Sequence, residues 1–152
     1  MDAMVVPAYR TEIDEIGRLA WTHLDQPALS RVAWAYYYFS IQFRENLEAA
    51  VALHPEDPKL ASLKSEECDT ANLSPWPGVA DAGERMNHDE FMRRLLRLGS
   101  FDGRTALELR TLGESYLADV RQYDAAAKAM SIASYEDGGL EAVFRAMLTA
   151  RD

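Results

Sequence analysis

The chain has 152 residues, of which 48% are hydrophobic and 27% are charged, and its formal net charge at pH 7 is -9. A chain of this length buries a sizeable core, so we expect a single domain over residues 1–152. The acidic balance argues against a nucleic-acid partner, because binding of phosphates requires a basic patch.

The first half of the chain predicts three helices. Thr11 is placed to cap a helix that runs to about His23, where "LDQPALS" ends it. The next helix covers about residues 29–53 and carries the aromatic run "WAYYYFSIQF", which the following "RENLEAAVAL" assigns to helix rather than strand. Asp57 as a cap and Pro58 in the first turn then begin a third helix.

The second half begins with a long connection rich in proline and glycine, "NLSPWPGVADAGER". Asn87 is placed to cap a helix that Gly99 ends. From Arg104 the pattern is helical through residue 136, and residues 137–139 interrupt it before a last helix. With no repeat and no convincing strand, the expected fold is an all-α helical bundle of about five to seven helices.

Cysteine content and hydropathy indicate the cellular compartment of the protein. Cys68 is the only cysteine, which excludes a disulfide within the chain and fits a reducing compartment. The chain begins with "MDAMVVPAYRTEIDE", which lacks the pattern of a secretory leader. No apolar run approaches the roughly 20 residues of a membrane-spanning helix. We therefore expect a cytoplasmic protein with no membrane partner.

Three residues able to bind a metal lie on apolar helix faces. His88 shares the face of Phe91, Glu67 follows Leu63 by four residues, and Glu136 continues the stripe of its own helix. Each residue alone is better explained structurally, as a core histidine with one hydrogen-bond partner or a glutamate that reaches water. A carboxylate inside an apolar stripe costs several kcal/mol unless it is paired or binds a metal. Together, two carboxylates and an imidazole fit iron or manganese.

Other kinds of site find no support in the sequence. The Glu-x-x-His pairs of ferritin-like bundles do not occur, and no proximal and distal histidines suggest a globin. Neither G-x-S-x-G nor a glycine-rich phosphate loop is present. The cluster of Arg93, Arg94 and Arg97 lies on the polar face of its helix and is interpreted as a solvated surface.

The order of "LASLKSEECD", "NHDEFMRRLLRLG" and "AMSIASYEDGGLEAVFRAML" resembles the helical haem-oxygenase-like superfamily. The nearest branch is its non-haem di-iron oxidases and oxygenases, with the CADD-, TenA- and PqqC-like fold. The resemblance covers most of residues 57–148 and implies that Glu67, His88 and Glu136 are metal ligands.

Two more glutamates enter as candidate ligands through the same resemblance. Glu66 replaces Glu67 if the register shifts by one residue, and Glu45 is a further candidate for the extra carboxylate that some members carry. Two departures from the family pattern are evident. The connection between Glu67 and His88 is longer than usual, and the last ligand helix with its His, Asp and His residues is missing before Asp152. The chain is therefore expected to be a fragment or to form half of a metal site.

The resemblance implies an activity. Two Fe(II) ions, or manganese in their place, would bind between helices and activate O2 as cosubstrate to oxidise a small amino-acid-like or fatty-acid-like substrate. Tyr36, Phe39 and Phe43 would line the substrate pocket, although packing in the core is the better explanation of these aromatic residues. Homodimers are common for this fold, so a homodimer is expected.

Two alternatives remain open from the sequence. One is a metal-free, all-α binding or interaction module with the same fold. The other is a cofactor-free enzyme similar to TenA and PqqC, whose nucleophilic cysteine would have to be Cys68, a residue without a supporting motif.

Overall fold

The computed structural model describes residues 11, 14–73, 75–99 and 101–135. Within these ranges the regular elements are helices, and the β-structure consists of isolated bridges rather than strands. The prediction of an all-α bundle is thereby confirmed. Glu136 and the predicted last helix lie outside the described residues.

The chain divides into two compact units, residues 1–26 with 133–152 and residues 27–132. In the first unit, residues 14–17 are helical and a short 3-10 helix follows at Trp21–His23. The predicted continuous helix to His23 is therefore wrong. The Nε1 of Trp21 donates a 2.9 Å hydrogen bond to the Ile16 carbonyl, which satisfies one of the groups that a helix end leaves unpaired.

Five α-helices follow in chain order. They are α1 at Gln26–Leu53, α2 at Pro58–Glu67, α3 at His88–Leu96, α4 at Gly103–Val120 and α5 at Ala125–Tyr135. The predicted start of α2 is confirmed, since Asp57 Oδ1 accepts hydrogen bonds from the backbone N–H groups of Lys59 and Leu60 at 2.8 and 3.4 Å. Asn87 also precedes α3 as predicted, but its side chain does not cap that helix.

The predicted single helix from Arg104 to residue 136 is wrong, because residues 121–124 separate α4 from α5. Asp124 Oδ1 accepts a 2.8 Å hydrogen bond from the Ala127 N–H. An aspartate whose side chain accepts a hydrogen bond from the N–H three residues later is typical of the start of a helix. Asp124 followed by an alanine-rich segment was the feature of the sequence that indicated this start.

Helix α1 is the centre of the second unit and buries polar as well as apolar side chains. Its buried residues are Tyr38, Ser40, Gln42, Asn46, Leu47 and Ala50. Asn46 Nδ2 donates a 2.8 Å hydrogen bond to Ser131 Oγ on α5, and Gln42 Oε1 accepts one from the Tyr116 hydroxyl on α4. Because both polar groups are paired, they tie neighbouring helices to α1 instead of costing an unmet hydrogen bond.

The long connection between α2 and α3 is folded upon itself. Thr70 and Met86 exchange backbone hydrogen bonds of 3.0 and 3.1 Å, and both residues are buried. Asp69 adopts a left-handed φ of 46°, a conformation that aspartate tolerates better than most residues. Its N–H donates to Asn87 Oδ1 at 2.8 Å, which explains why Asn87 does not cap α3. The two ends of the connection are thus held side by side.

The arginines on the polar face of α3 form a charge network with neighbouring carboxylates. Glu90 accepts hydrogen bonds from Arg93 at 2.6 and 2.7 Å and from Arg94 at 2.9 Å. Arg94 Nη1 also donates to Glu84 Oε1 at 2.7 Å and to the Val79 carbonyl at 3.0 Å, which joins α3 to the connection. Hydrogen bonds from Arg93 lower the pKa of Glu90 from 4.5 to about 2.

We expect Glu90→Gln to reduce stability in a manner that depends on pH. The pKa of Glu90 is lowered on folding, so its contribution is complete above about pH 4.5 and is lost as the pH falls towards about 2. Because the Glu90 side chain is 31% exposed, the loss near pH 6 should be modest, about 1 kcal/mol. Urea unfolding of the native chain and the variant between about pH 2 and 7 measures this difference.

The matched control for this prediction is Glu108→Gln, which removes an exposed carboxylate paired with Arg104 on α4. Its effect on the free energy of unfolding should be near zero over the whole pH range. A Glu90→Gln difference that does not change with pH would contradict the assignment of this stabilisation to the charged network.

Candidate carboxylate–histidine site

Two of the residues predicted as metal ligands meet where α2 ends and α3 begins. Glu67 is the last residue of α2 and His88 is the first residue of α3. The bridge between Thr70 and Met86 closes the connection between them, and His88 Nδ1 lies 2.6 Å from Glu67 Oε2. The side chains of His88 and Glu67 are 31% and 27% exposed, so solvent or a small ligand can reach the pair.

Asn72 completes the surroundings of the His88 ring. Its Nδ2 donates a 3.0 Å hydrogen bond to the Glu66 carbonyl, and its Oδ1 lies 3.3 Å from His88 Nε2. Because the amide nitrogen is engaged with Glu66, the oxygen is the atom that faces the imidazole. Both ring nitrogens therefore face oxygen atoms that can accept a hydrogen bond. The sequence carried no signal for Asn72, since nothing in its local pattern relates it to His88.

Tyr36 on α1 belongs to the surroundings of Glu67. Burial raises the pKa of the Tyr36 hydroxyl above its ordinary value, and the nearby Glu67 carboxylate raises it further. The Tyr36 ring lies 6.0 Å from that of Phe39, which lies 6.2 Å from that of Phe43. The three residues predicted to line the substrate pocket thus form one row of rings along α1, and the end of the row at Tyr36 approaches the site.

Phe39 also lines a cavity of about 390 Å3 between α1 and α4. Trp34, Tyr38 and Tyr116 contribute aromatic walls to it, whereas Tyr36 and Phe43 do not line it. Of the predicted pocket residues, Tyr36 therefore lies near Glu67 and Phe39 lines this cavity, whereas Phe43 contacts only the Phe39 end of the row.

The structure places the other candidate ligands elsewhere. Both carboxylate oxygens of Glu45 accept hydrogen bonds from Arg121, at 2.6 and 2.9 Å, and these bonds lower its pKa. Glu66 is exposed and its Oε1 accepts from Ser62 Oγ at 3.2 Å. Glu136 lies outside the described residues. Among the residues that the structure does describe, no group of three or more potential metal ligands comes together.

Asp89 is a half-buried carboxylate beside the site, and no motif in the sequence indicated it. Arg44 Nε donates to its Oδ2 at 3.1 Å, while Oδ1 is buried and has no hydrogen-bond partner in the described part of the chain. The feature of the sequence that could have indicated Asp89 is its position directly after His88. Asp89 also lies near Cys68, and the main effect on that thiol is burial, which raises its pKa. A raised pKa lowers the thiolate fraction at neutral pH, so it does not favour a nucleophilic role for Cys68.

The geometry of Glu67 and His88 can be compared with the requirements of a metal ion. Two nitrogen or oxygen donors, each about 2.1 Å from one ion and at a right angle, lie about 3.0 Å apart. The observed 2.6 Å is a hydrogen-bond distance, and a separation of a few tenths of an ångström would convert it to that geometry. As it stands, the pair is hydrogen-bonded, and its two atoms are of the kinds that iron and manganese accept.

No protein-family model, curated protein or solved structure matches the chain. The resemblance to the haem-oxygenase-like superfamily therefore stays a prediction. Among the helices that the structure describes, none combines the length and apolar character needed to cross a lipid bilayer.

Proposed function

We propose that Glu67 and His88 are ligands of an iron or manganese centre in a non-haem oxidase or oxygenase that acts on a small amino-acid-like or fatty-acid-like molecule. One observation carries the proposal: the 2.6 Å contact between Glu67 Oε2 and His88 Nδ1, which joins two predicted ligands from different helices. Oxygen and imidazole donors without thiolates suit both metals.

Each side chain of the site has a definite task in this proposal. His88 Nδ1 must give up its proton to bind the ion, since only the unprotonated nitrogen has a lone pair to donate. His88 Nε2 would keep its proton and donate a hydrogen bond to Asn72 Oδ1, an outer hydrogen bond of the kind that orients metal-binding histidines. Asn72 is thus a positioning residue, and Glu66 holds it through its backbone carbonyl.

When bound, iron would supply the electrons that O2 activation requires. The aromatic row of Tyr36, Phe39 and Phe43 would limit access of water from the side of α1. The sequence predicts Glu136 as a further ligand, and a Glu136→Gln variant tests that prediction directly. Two metal ions and a homodimer remain part of the proposal as the resemblance implies them.

We expect the native chain, loaded anaerobically with excess Fe(II) and desalted, to retain about one or two irons, and His88→Ala and Glu67→Gln to retain none. Asn72→Ala should bind iron about 10- to 100-fold more weakly, because it removes an outer hydrogen bond and leaves both ligands. Iron per chain by elemental analysis, with circular dichroism to confirm helix content, measures these effects.

The matched controls are His54→Ala and Glu66→Gln, which change an exposed histidine and the exposed neighbour of Glu67. Both should retain iron as the native chain does. Equal retention by His88→Ala, or no retention by the native chain, would overturn the proposal. Manganese, loaded in parallel, distinguishes the two metals.

A second candidate function is a metal-free binding module. It is favoured by the contacts of His88, because each ring nitrogen already has a side-chain oxygen within hydrogen-bond distance, from Glu67 and from Asn72. In that case His88→Ala lowers the thermal stability of the chain, and added Fe(II) or Mn(II) raises the unfolding temperature of neither protein.

A further inference from the structure

We infer that the second unit binds a small aromatic carboxylate in a pocket between α1, α3 and α4. The pocket has a volume of about 480 Å3, within the range of small-molecule sites. It is lined by different residues from the carboxylate–histidine site, and the inference does not rest on the function proposed above.

The walls of the pocket are largely aromatic and aliphatic. They are formed by Trp34, Tyr37, Tyr38, Ile41, Leu96 and Leu117. The Trp34 and Tyr38 rings stack with centroids 6.2 Å apart, and the Tyr37 and Tyr38 rings are 5.0 Å apart. Such a surface favours a flat apolar body, because ring faces and edges of a ligand pack against it with little loss of side-chain freedom.

The same pocket carries a positive charge that is unusual for this chain. Arg93, Arg97 and Arg110 line it with one acidic residue, Glu114, although the whole chain has a formal net charge of -9. Arg93 is engaged with Glu90 in two hydrogen bonds of 2.6 and 2.7 Å. Arg97 and Arg110 take part in none of the ion pairs among the residues that the structure describes. Within the described part of the chain, these two guanidinium groups are therefore not paired with a carboxylate and can receive an anion.

A carboxylate is the anion that this arrangement fits. A guanidinium presents two parallel N–H donors that match two carboxylate oxygens. The wall thus has donors in excess on two residues, Arg97 and Arg110. A ligand without an acceptor group would cover the two arginines and leave those donors unmet.

The test uses isothermal titration calorimetry with naphthalene-2-carboxylate, a flat two-ring carboxylate, and with 2-naphthamide, which has the same shape without the charge. Both titrations contain a chelator, so that no metal ion contributes. The carboxylate should bind with a dissociation constant below about 1 mM. The amide should bind at least about fivefold more weakly, because it lacks the charge-assisted hydrogen bonds.

The variants Arg97→Met and Arg110→Met keep much of the apolar stem and remove the charge. Each should weaken binding of the carboxylate by about fivefold and leave binding of the amide unchanged. Arg104→Met is the matched control, since Arg104 is an exposed arginine on α4 that does not line the pocket. Circular dichroism confirms that each variant is folded.

Three results would overturn the inference. They are absence of binding by naphthalene-2-carboxylate, equal affinity for the carboxylate and the amide, and an equal loss of affinity in Arg104→Met. Each would show that the arginines at this pocket do not recognise an anion. Because the chelator is present throughout, none of these results bears on metal retention at Glu67 and His88.

Discussion

We expect Leu47→Ala to lower the free energy of unfolding by about 2–5 kcal/mol, the largest loss of stability among the changes considered. Leu47 is 0% exposed and lies on α1 beside the buried Asn46 and near Ala50. Replacement by alanine loses the favourable free energy of burying the methyl and methylene groups of the leucine side chain. It also leaves a cavity that the surrounding helices fill only in part, and the loss is the sum of both effects.

Equilibrium unfolding in urea measures this loss, provided that the slope of the transition is the same in both proteins. The matched control is Leu107→Ala on α4, because Leu107 is 61% exposed and undergoes the same chemical change within a helix. Its effect should lie within about 0.5 kcal/mol of zero. Equal losses in the two variants would contradict the placement of Leu47 in the core.

We expect Gly113→Ala to destabilise the chain by about 1–3 kcal/mol, although alanine is the better helix former by about 1 kcal/mol. Gly113 is buried in the interior of α4, and a Cβ atom there would overlap the Tyr38 ring of α1. The Tyr38 ring contacts those of Trp34 and Tyr37, with centroids 6.2 and 5.0 Å away, so a shift of the ring disturbs its packing against both.

A double-mutant cycle separates this steric cost from any general effect of alanine in α4. In a Tyr38→Ala background the overlap is absent, so Gly113→Ala should become neutral or stabilising, and the two changes should be strongly coupled. Gly103→Ala is the matched control, since a Cβ at Gly103 meets no atom within 4 Å. If Gly113→Ala stabilises the native chain, the close approach of α1 and α4 at Tyr38 is wrong.

Much of the fold was predictable because the relevant signals are local. The capping Asp57 followed by Pro58 predicted the start of α2, and the hydrogen bonds involved join residues only two or three positions apart. The break between α4 and α5 was equally local, at Asp124, but the helical periodicity on both sides concealed it.

The candidate site was predictable in part. The apolar faces of their helices and the resemblance together placed Glu67 and His88 at one site, and the structure brings them to 2.6 Å. Glu45 illustrates why the same reasoning could not assign the remaining ligands. Whether a carboxylate is free to bind a metal depends on partners far away in the chain. Arg121, directly after α4, donates hydrogen bonds to both carboxylate oxygens of Glu45.

By itself, the sequence determined the helical class, the extent of the long aromatic helix and the residue types able to bind a metal. These follow from periodicity, propensity and capping, which act over one or two helical turns. The tertiary structure alone decided that Asn87 bonds Asp69 instead of capping α3, and that Asn72 faces the ring of His88. Both contacts depend on how the connection closes between α2 and α3. Closing the connection costs chain entropy, and buried contacts between residues distant in sequence offset that cost. A local sequence pattern does not contain this information.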